Sequence, residues 1–477
     1  MPDDLAYSLS SERAGDGQLA LADADGMSTT EFPDDPKSRW KPIDQRELER
    51  TLQHHKWFLK GRSGGQRANL GGYELSHLDL SGFDLSNADF SGARMQHTKL
   101  RATRLQAANL FAADLRKVDL TGADLTRADL RGVCLRGADL TEALMVESDM
   151  RDGVLLRADE HGNLTTVAFD ISAADMRSAV LRGADMSQSK MSNAFVMQTD
   201  LTDSIMRGAR LYRADLSNSN LTGTNLQGAD LTEANVSGAI FHGAILSGAV
   251  LSNTNLDGAD LVGAVLDSAQ QSGVDFSRAR MPLSIEALGV PLQKVLMAHA
   301  DWVGSAGKKG QRANFSRYDL SEQRMSDANL SAANCNFTIF RGADLSRVNF
   351  LMADLSFADL RGADLSYADL RGANLKRANL SDAKLVGAKC GPVNIMGSTA
   401  QLWAANLESA RLAGADLTAC GFRHAKMQAA DLSGTKMRDA DFRNADLQDA
   451  IFTQADTRGA SFEGADLRGA DNFRHDK

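Results

Sequence analysis

Aromatic residues make up only 6% of this 477-residue chain, proline occurs seven times and cysteine four times. The shortage of aromatics excludes a core built on large rings and points to one filled by leucine and alanine. No run approaches 18 apolar residues, so no membrane span is expected. The start is acidic and lacks the basic-then-apolar pattern of a secretory signal. Cys134, Cys335, Cys390 and Cys420 form no CxxC pair, so buried reduced thiols are expected rather than disulfides or metal ligands, and with them a cytoplasmic location. The nine histidines are scattered, with no HExxH and no Cys/His cluster, and no glycine-rich loop joins a strand to a helix. No catalytic residue, metal or cofactor is expected.

What the chain has instead is a beat of five. From Leu345 a large apolar residue returns at Phe350, Leu355, Leu360, Leu365, Leu370, Leu375 and Leu380. A small residue, usually Ala, stands two positions earlier; Asp or Asn lies between, and Ser, Thr or Arg follows. Five matches neither the 3.6 of an α-helix nor continuous strand alternation. It fits a short extended step and a corner, with Ala and Leu pointing inward and Asp or Asn outward. Repetition on this scale makes a solenoid. Phe422, Phe442 and Phe462 are twenty apart, as are Arg116 and Arg136, and Arg341 and Arg361. Four steps to a turn would stack each set, giving a square parallel β-helix.

Taken in order, residues 1–43 read as a disordered acidic tail. Asp3, Asp4, Glu12, Asp16, Asp23, Asp25, Glu31, Asp34 and Asp35 face Arg13, Lys37 and Arg39, nine against three, or −6 of the chain's −9. Residues 44–60 predict an amphipathic helix with Asp44 as N-cap and Leu48, Leu52, His55 and Leu59 on one face. The beat then runs from Leu70 to Leu155, breaks at 157–170 in what reads as a loop or small hairpin, and resumes from Ile171 to Met281. Ser284–Leu288 and Pro291–Val303 predict two short helices. His54-x-x-Trp57 and Gly65-Gln-Arg-Ala-Asn69 recur as His299-x-x-Trp302 and Gly310-Gln-Arg-Ala-Asn314, all 245 residues on. The chain therefore reads as a tandem duplication, 44–282 and 283–477, with a second slip of phase at 391–403. The expected fold class is an all-β solenoid of two quadrilateral parallel β-helices, each preceded by a short capping helix. His54, Trp57, His299 and Trp302 are the expected cap residues, laid over each open first coil.

Ala363-Asp-Leu-Ser-Tyr367 and Ala373-Asn-Leu-Lys-Arg377 match the A(D/N)LxX repeat, and on these residues the chain resembles the pentapeptide repeat proteins. That resemblance implies a right-handed β-helix. For function it implies, as in the best-understood members, a mimic of duplex DNA that modulates a type II topoisomerase such as DNA gyrase, whereas the rigid, interrupted repeat itself points to a non-enzymatic scaffold for a protein partner. With no chemistry in the repeat, the scaffold reading comes first, and partner contacts are expected where the beat fails: Asp159, Glu160, His161, Asn163, Phe169 and Trp403. A DNA mimic needs a dense negative field, whereas arginine rows answer the aspartates here. Direct nucleic-acid binding is not expected, since no basic groove with interleaved aromatics is visible. A homodimer is compatible with the sequence.

Overall fold

The step from Ala88 to Gly92 shows how the wall is built. The Ala88 N–H closes a tight turn onto the Leu85 carbonyl (3.0 Å), and the Asp89 N–H reaches the Ala68 carbonyl of the preceding coil (2.9 Å). The amides of Phe90 and Gly92 donate to Asn109 and Phe111 of the following coil (2.7 and 2.8 Å). One amide remains, that of Ser91, and it donates to the Asp89 side-chain Oδ1 at 3.0 Å. All five donors of the step are therefore satisfied, which is the requirement for burying backbone in a wall. The same side-chain bond recurs at Ser81, Thr121, Ser346 and Lys376, accepted by Asp79, Asp119, Asp344 and Asn374. The preference for Asp or Asn thus has a cause beyond polarity: their short carboxylate or amide reaches the N–H two residues on.

In the computed structural model, which describes residues 40–153, 156–158, 164–166, 173–395 and 401–473, this step repeats with four to a coil. Parallel bridges join residues twenty apart, as in Asn69↔Asp89↔Asn109↔Asp129. Corner residues adopt left-handed φ, not only at glycine but at Asn87 (64°), Tyr367 (59°) and many others. Inward-facing Ala and Leu are almost completely buried and fall into two clusters, one from Leu48 to Leu261 and the other from Leu296 to Phe462. Where Thr replaces the inward Ala, its hydroxyl finds a carbonyl, as Thr98 Oγ1 does on Leu75 (2.9 Å). The expected phenylalanine ladder is present: Phe422–Phe442 and Phe442–Phe462 stack with centroids 4.9 and 5.0 Å apart, close to the strand spacing.

The remaining elements are β1 (Lys41–Pro42), α1 (Gln45–Leu59), β2 (Tyr73–Glu74), β3 (Leu156–Ala158), β4 (Leu164–Thr166), α2 (Leu292–Gly304), β5 (Val393–Ile395) and β6 (Gln401–Trp403), with a 3₁₀ turn at Ile285–Leu288. Asp44 caps α1 through the Glu47 amide (2.8 Å), as the sequence predicts. Ser284, at the N-cap of the 3₁₀ turn, makes no side-chain cap bond to its backbone. The acidic segment ends sooner than 43, because β1 pairs in parallel with β2 of the first coil and the Trp40 indole donates to the Gly92 carbonyl (2.9 Å). The rest of that segment, residues 1–39, lies outside the described residues. Leu283 pairs with Tyr318 in the same way before the second cluster.

Each helix docks on the first coil through a buried histidine. His55 Nδ1 accepts the Ala68 N–H (3.1 Å) and His299 Nδ1 accepts the Ala313 N–H (3.0 Å). The sequence alignment paired His54 with His299, but the ring in the equivalent position is His55. His54 is half-buried and stacks on Trp57 (5.3 Å), while His55 stacks on Phe58 as His299 does on Trp302. The docked register thus shifts by one residue: the Gln66 amide bonds the His54 carbonyl, and the Gln311 amide bonds that of Ala298, 244 rather than 245 residues on.

Because a backbone N–H points at each Nδ1, both rings must be neutral with the proton on Nε2. Burial lowers the pKa of both below 6.5. A depressed histidine contributes its full stability above the unfolded value and loses it as pH falls through the folded one. The thermal midpoint of the native chain should therefore fall between pH 7.5 and pH 5. His55→Phe/His299→Phe should melt lower at pH 7.5 and show little of that slope; an unchanged slope in the double variant would contradict the assignment.

Candidate interaction surfaces

The two columns of coils lie side by side and run in opposite directions. Asp267, near the end of the first, receives both Arg341 and Arg361 from the start of the second. Further along, the Arg377 guanidinium grips Asp203 with two bonds of 2.6 and 2.5 Å, and Arg411 donates to the carbonyls of Gly243 and Gly223 (2.9 and 2.8 Å). Between these clamps Phe337 and Phe357 stack at 4.9 Å against His242, whose Nε2 lies 3.1 Å from Asp260 Oδ2. Corner glycines let the columns approach: a Cβ on Gly243 would stand 3.4 Å from the Phe357 ring, and one on Gly263 equally close to Phe337. The cleft lined by Asp203, His242, Phe357, Arg377 and Arg411 has room for about one water.

The electrostatics follow from this packing. Burial opposes ionisation of Asp267, yet Arg361 and Arg341 outweigh it and hold the carboxyl below its usual range. Burial likewise works against the charge on Arg361, but Asp359 and Asp267 raise its pKa. Arg411, with only carbonyls as direct partners across the seam, is pushed down by burial. All four cysteines are free and buried. Cys134 stands at an outward position between Asp114 and Asp175, which Arg116, Arg136 and Arg177 bind, and burial pushes its thiol up to about 11. Cys390 and Cys420 face each other with sulfurs 4.0 Å apart, and burial raises the Cys420 thiol.

The wall is interrupted twice. At the first break β3 and β4 pair antiparallel as a hairpin, and the ladder resumes as Cys134↔Asp175, 41 residues apart where 20 is the rule, an excess of 21. At the second, read from sequence only as a slip of phase, β5 and β6 form another hairpin, and Asn374↔Asn406 span 32, an excess of 12. Asp159, Glu160, His161, Asn163 and Phe169 lie outside the described residues. Trp403 is 49% exposed on β6, with its indole N–H on the Gly372 carbonyl (3.1 Å). Among the described residues no group of three or more His, Cys, Asp or Glu could hold a metal ion, and no helix is long and apolar enough to cross a membrane.

Sequence reasoning missed the seam. Its signals were present: Phe337 and Phe357 are aromatics at corner positions twenty apart, and Gly223, Gly243 and Gly263 form a glycine column at the same spacing. Gly243→Leu should force the columns apart and lengthen the particle in small-angle X-ray scattering. Gly248→Leu, at an equally left-handed corner with nothing within 4 Å of its Cβ, carries the same backbone strain and should leave the profile unchanged. Identical profiles for both variants would contradict the packing.

A family model described as pentapeptide repeats matches residues 68–142, 170–281, 311–347, 353–389 and 400–471. No curated protein matches the sequence. Similar solved structures include a pentapeptide repeat protein of the Arabidopsis thaliana thylakoid lumen, 32% identical over 23% of this chain and 69% of its own, TM-score 0.20. HetL, a pentapeptide repeat protein involved in heterocyst differentiation regulation in the cyanobacterium Nostoc, is 23% identical over 90% of this chain and 96% of its own, TM-score 0.15. QnrB1, a plasmid-mediated fluoroquinolone resistance protein, is 19% identical over 46% of this chain and all of its own, TM-score 0.23. Proteins of this kind form right-handed β-helix solenoids and generally serve as structural or interaction proteins. With its repeats matched over well more than half its length, the chain belongs to the pentapeptide repeat family.

Proposed function

We propose that this protein is a non-enzymatic protein–protein interaction scaffold: two β-helices, 44–282 and 283–477, each with a helix docked on its first coil and clamped together along one seam. The observation that carries the reading is the behaviour of the ladder at its two breaks. The coils on either side pair with each other across each insertion, so the hairpins carry no bridge of the wall. Insertions of this kind in a solenoid concentrate on binding faces. Outward carboxylates, in contrast, are occupied by the Asx bonds and by arginine two residues on, as in Arg371 on Asp369 and Arg443 on Asp441. The buried thiols suit a reducing compartment such as the cytoplasm.

The second reading, a DNA-mimicking modulator of DNA gyrase, requires a continuous negative face. These arginine–aspartate pairs neutralise much of it, so that reading stands second.

The excess residue counts define the test. Deleting 151–171 (21 residues) or 392–403 (12 residues) rejoins the five-residue beat, so each shortened chain should keep the circular dichroism of the parent. Affinity capture from the native lysate, read by mass spectrometry, should retain a specific protein on the full chain and lose it on at least one deletion. Equal capture by both deletions would overturn the assignment to the hairpins, and inhibition of supercoiling by purified gyrase would favour the second reading.

A further inference from the structure

One wall of the second column departs from the pattern in a way the fold does not require. Its successive coils bridge as Asp369↔Lys389↔Gly421↔Asp441, so glycine stands where its neighbours carry outward side chains. A Cβ on Gly421 would meet nothing within 4 Å, and one on Gly391 would meet only the Arg423 carbonyl at 3.8 Å. Neither glycine has the left-handed φ of a corner. Two side chains are therefore missing, in adjacent coils, where neither space nor backbone demands it.

This panel has an aromatic frame. At one corner Trp403, Val393 and Met352 close around Gly372, 3.0, 3.2 and 3.3 Å from where its Cβ would be. At the other, the Tyr367 ring lies over Gly387 and is 63% exposed. Across the panel stand Arg371, Lys389, Arg423 and Arg443 against Asp369 and Asp441, four cations to two carboxylates, a local balance of +2. Exposed Trp and Tyr beside arginine, around a floor that permits close approach, are the residue types that dominate binding energy at interfaces.

We propose that this panel docks an acidic peptide segment of a protein partner, laying one large apolar side chain over Gly391 and Gly421 between Tyr367 and Trp403. The inference rests on the scaffold reading and names the chemistry of the partner at the second hairpin. Complementary charge steers such a segment to the wall, and the aromatic corners hold its anchor.

The test uses the full chain and a fluorescent library of decapeptides rich in Asp and Glu, each with a single Phe, Leu or Trp. Controls are the same peptides with Lys for the acids, the same with Ala for the anchor, and the single strand dT20. Saturable binding is expected for acidic anchored peptides only, weakened at least tenfold by Gly421→Glu and by Trp403→Ala and retained by Gly421→Ser. Absence of acidic-peptide binding, binding indifferent to Gly421→Glu, or binding of dT20 in place of peptide would overturn the proposal. Gly421→Glu leaves both hairpins intact, which separates the two readings. If it captures the same cellular protein as the native chain while hairpin deletion does not, the panel is wrong and the scaffold stands.

Discussion

Everything in this molecule depends on closing the hydrogen-bond account of a five-residue step. Four of the five amides reach backbone carbonyls, three across to neighbouring coils and one back within the turn, and the fifth can reach only a side chain two residues behind it. That single geometric need selects Asp or Asn and leaves the position after the large residue open to Ser, Thr, Arg or Lys. Once each step is closed, four steps make a coil, and the inward Ala and Leu stack into a column with almost no exposed surface. A solenoid so built depends on neighbours alone, which is why it tolerates two hairpins inserted between coils.

The sequence reveals these local rules well because each is repeated dozens of times. The beat of five, the twenty-residue coil, the stacked Phe422, Phe442 and Phe462, helix α1 with its Asp44 cap and the duplication are all visible without coordinates. What is not visible is set by contacts that occur once. The folding back of the second column depends on Arg377 meeting Asp203 and on Arg341 and Arg361 sharing Asp267, pairs separated by 174, 74 and 94 residues with no pattern linking them. The docked histidine is His55, which the helical spacing places on the apolar face, although the repeat of His54-x-x-Trp57 pairs His54 with His299. The second hairpin appeared only as a phase slip, since β5 and β6 are three residues each, too short to show strand alternation.

The candidate surface was legible in outline only. Trp403 could be singled out because it falls where the beat fails. The glycine floor could not: Gly391 and Gly421 look like any of the chain's 41 glycines until their φ values and empty surroundings are known. The glycines of this protein serve different ends, among them a left-handed corner at Gly342, close approach between columns at Gly243, and an open wall position at Gly421. Only the last has no role within the chain, which is the physical ground for looking there for a partner.

Residue-resolved hydrogen exchange tests the central claim most directly. Amides that follow a large inward residue and bond a side-chain oxygen, such as those of Ser346, Ser366 and Thr418, should be protected well above their intrinsic rates, and Asp364→Ala should release Ser366 while its coil neighbours stay protected. If those amides exchange at intrinsic rates in the native chain while the other four of each step are slow, the Asp and Asn side chains do not close the step, and the account of why this sequence makes this wall is wrong.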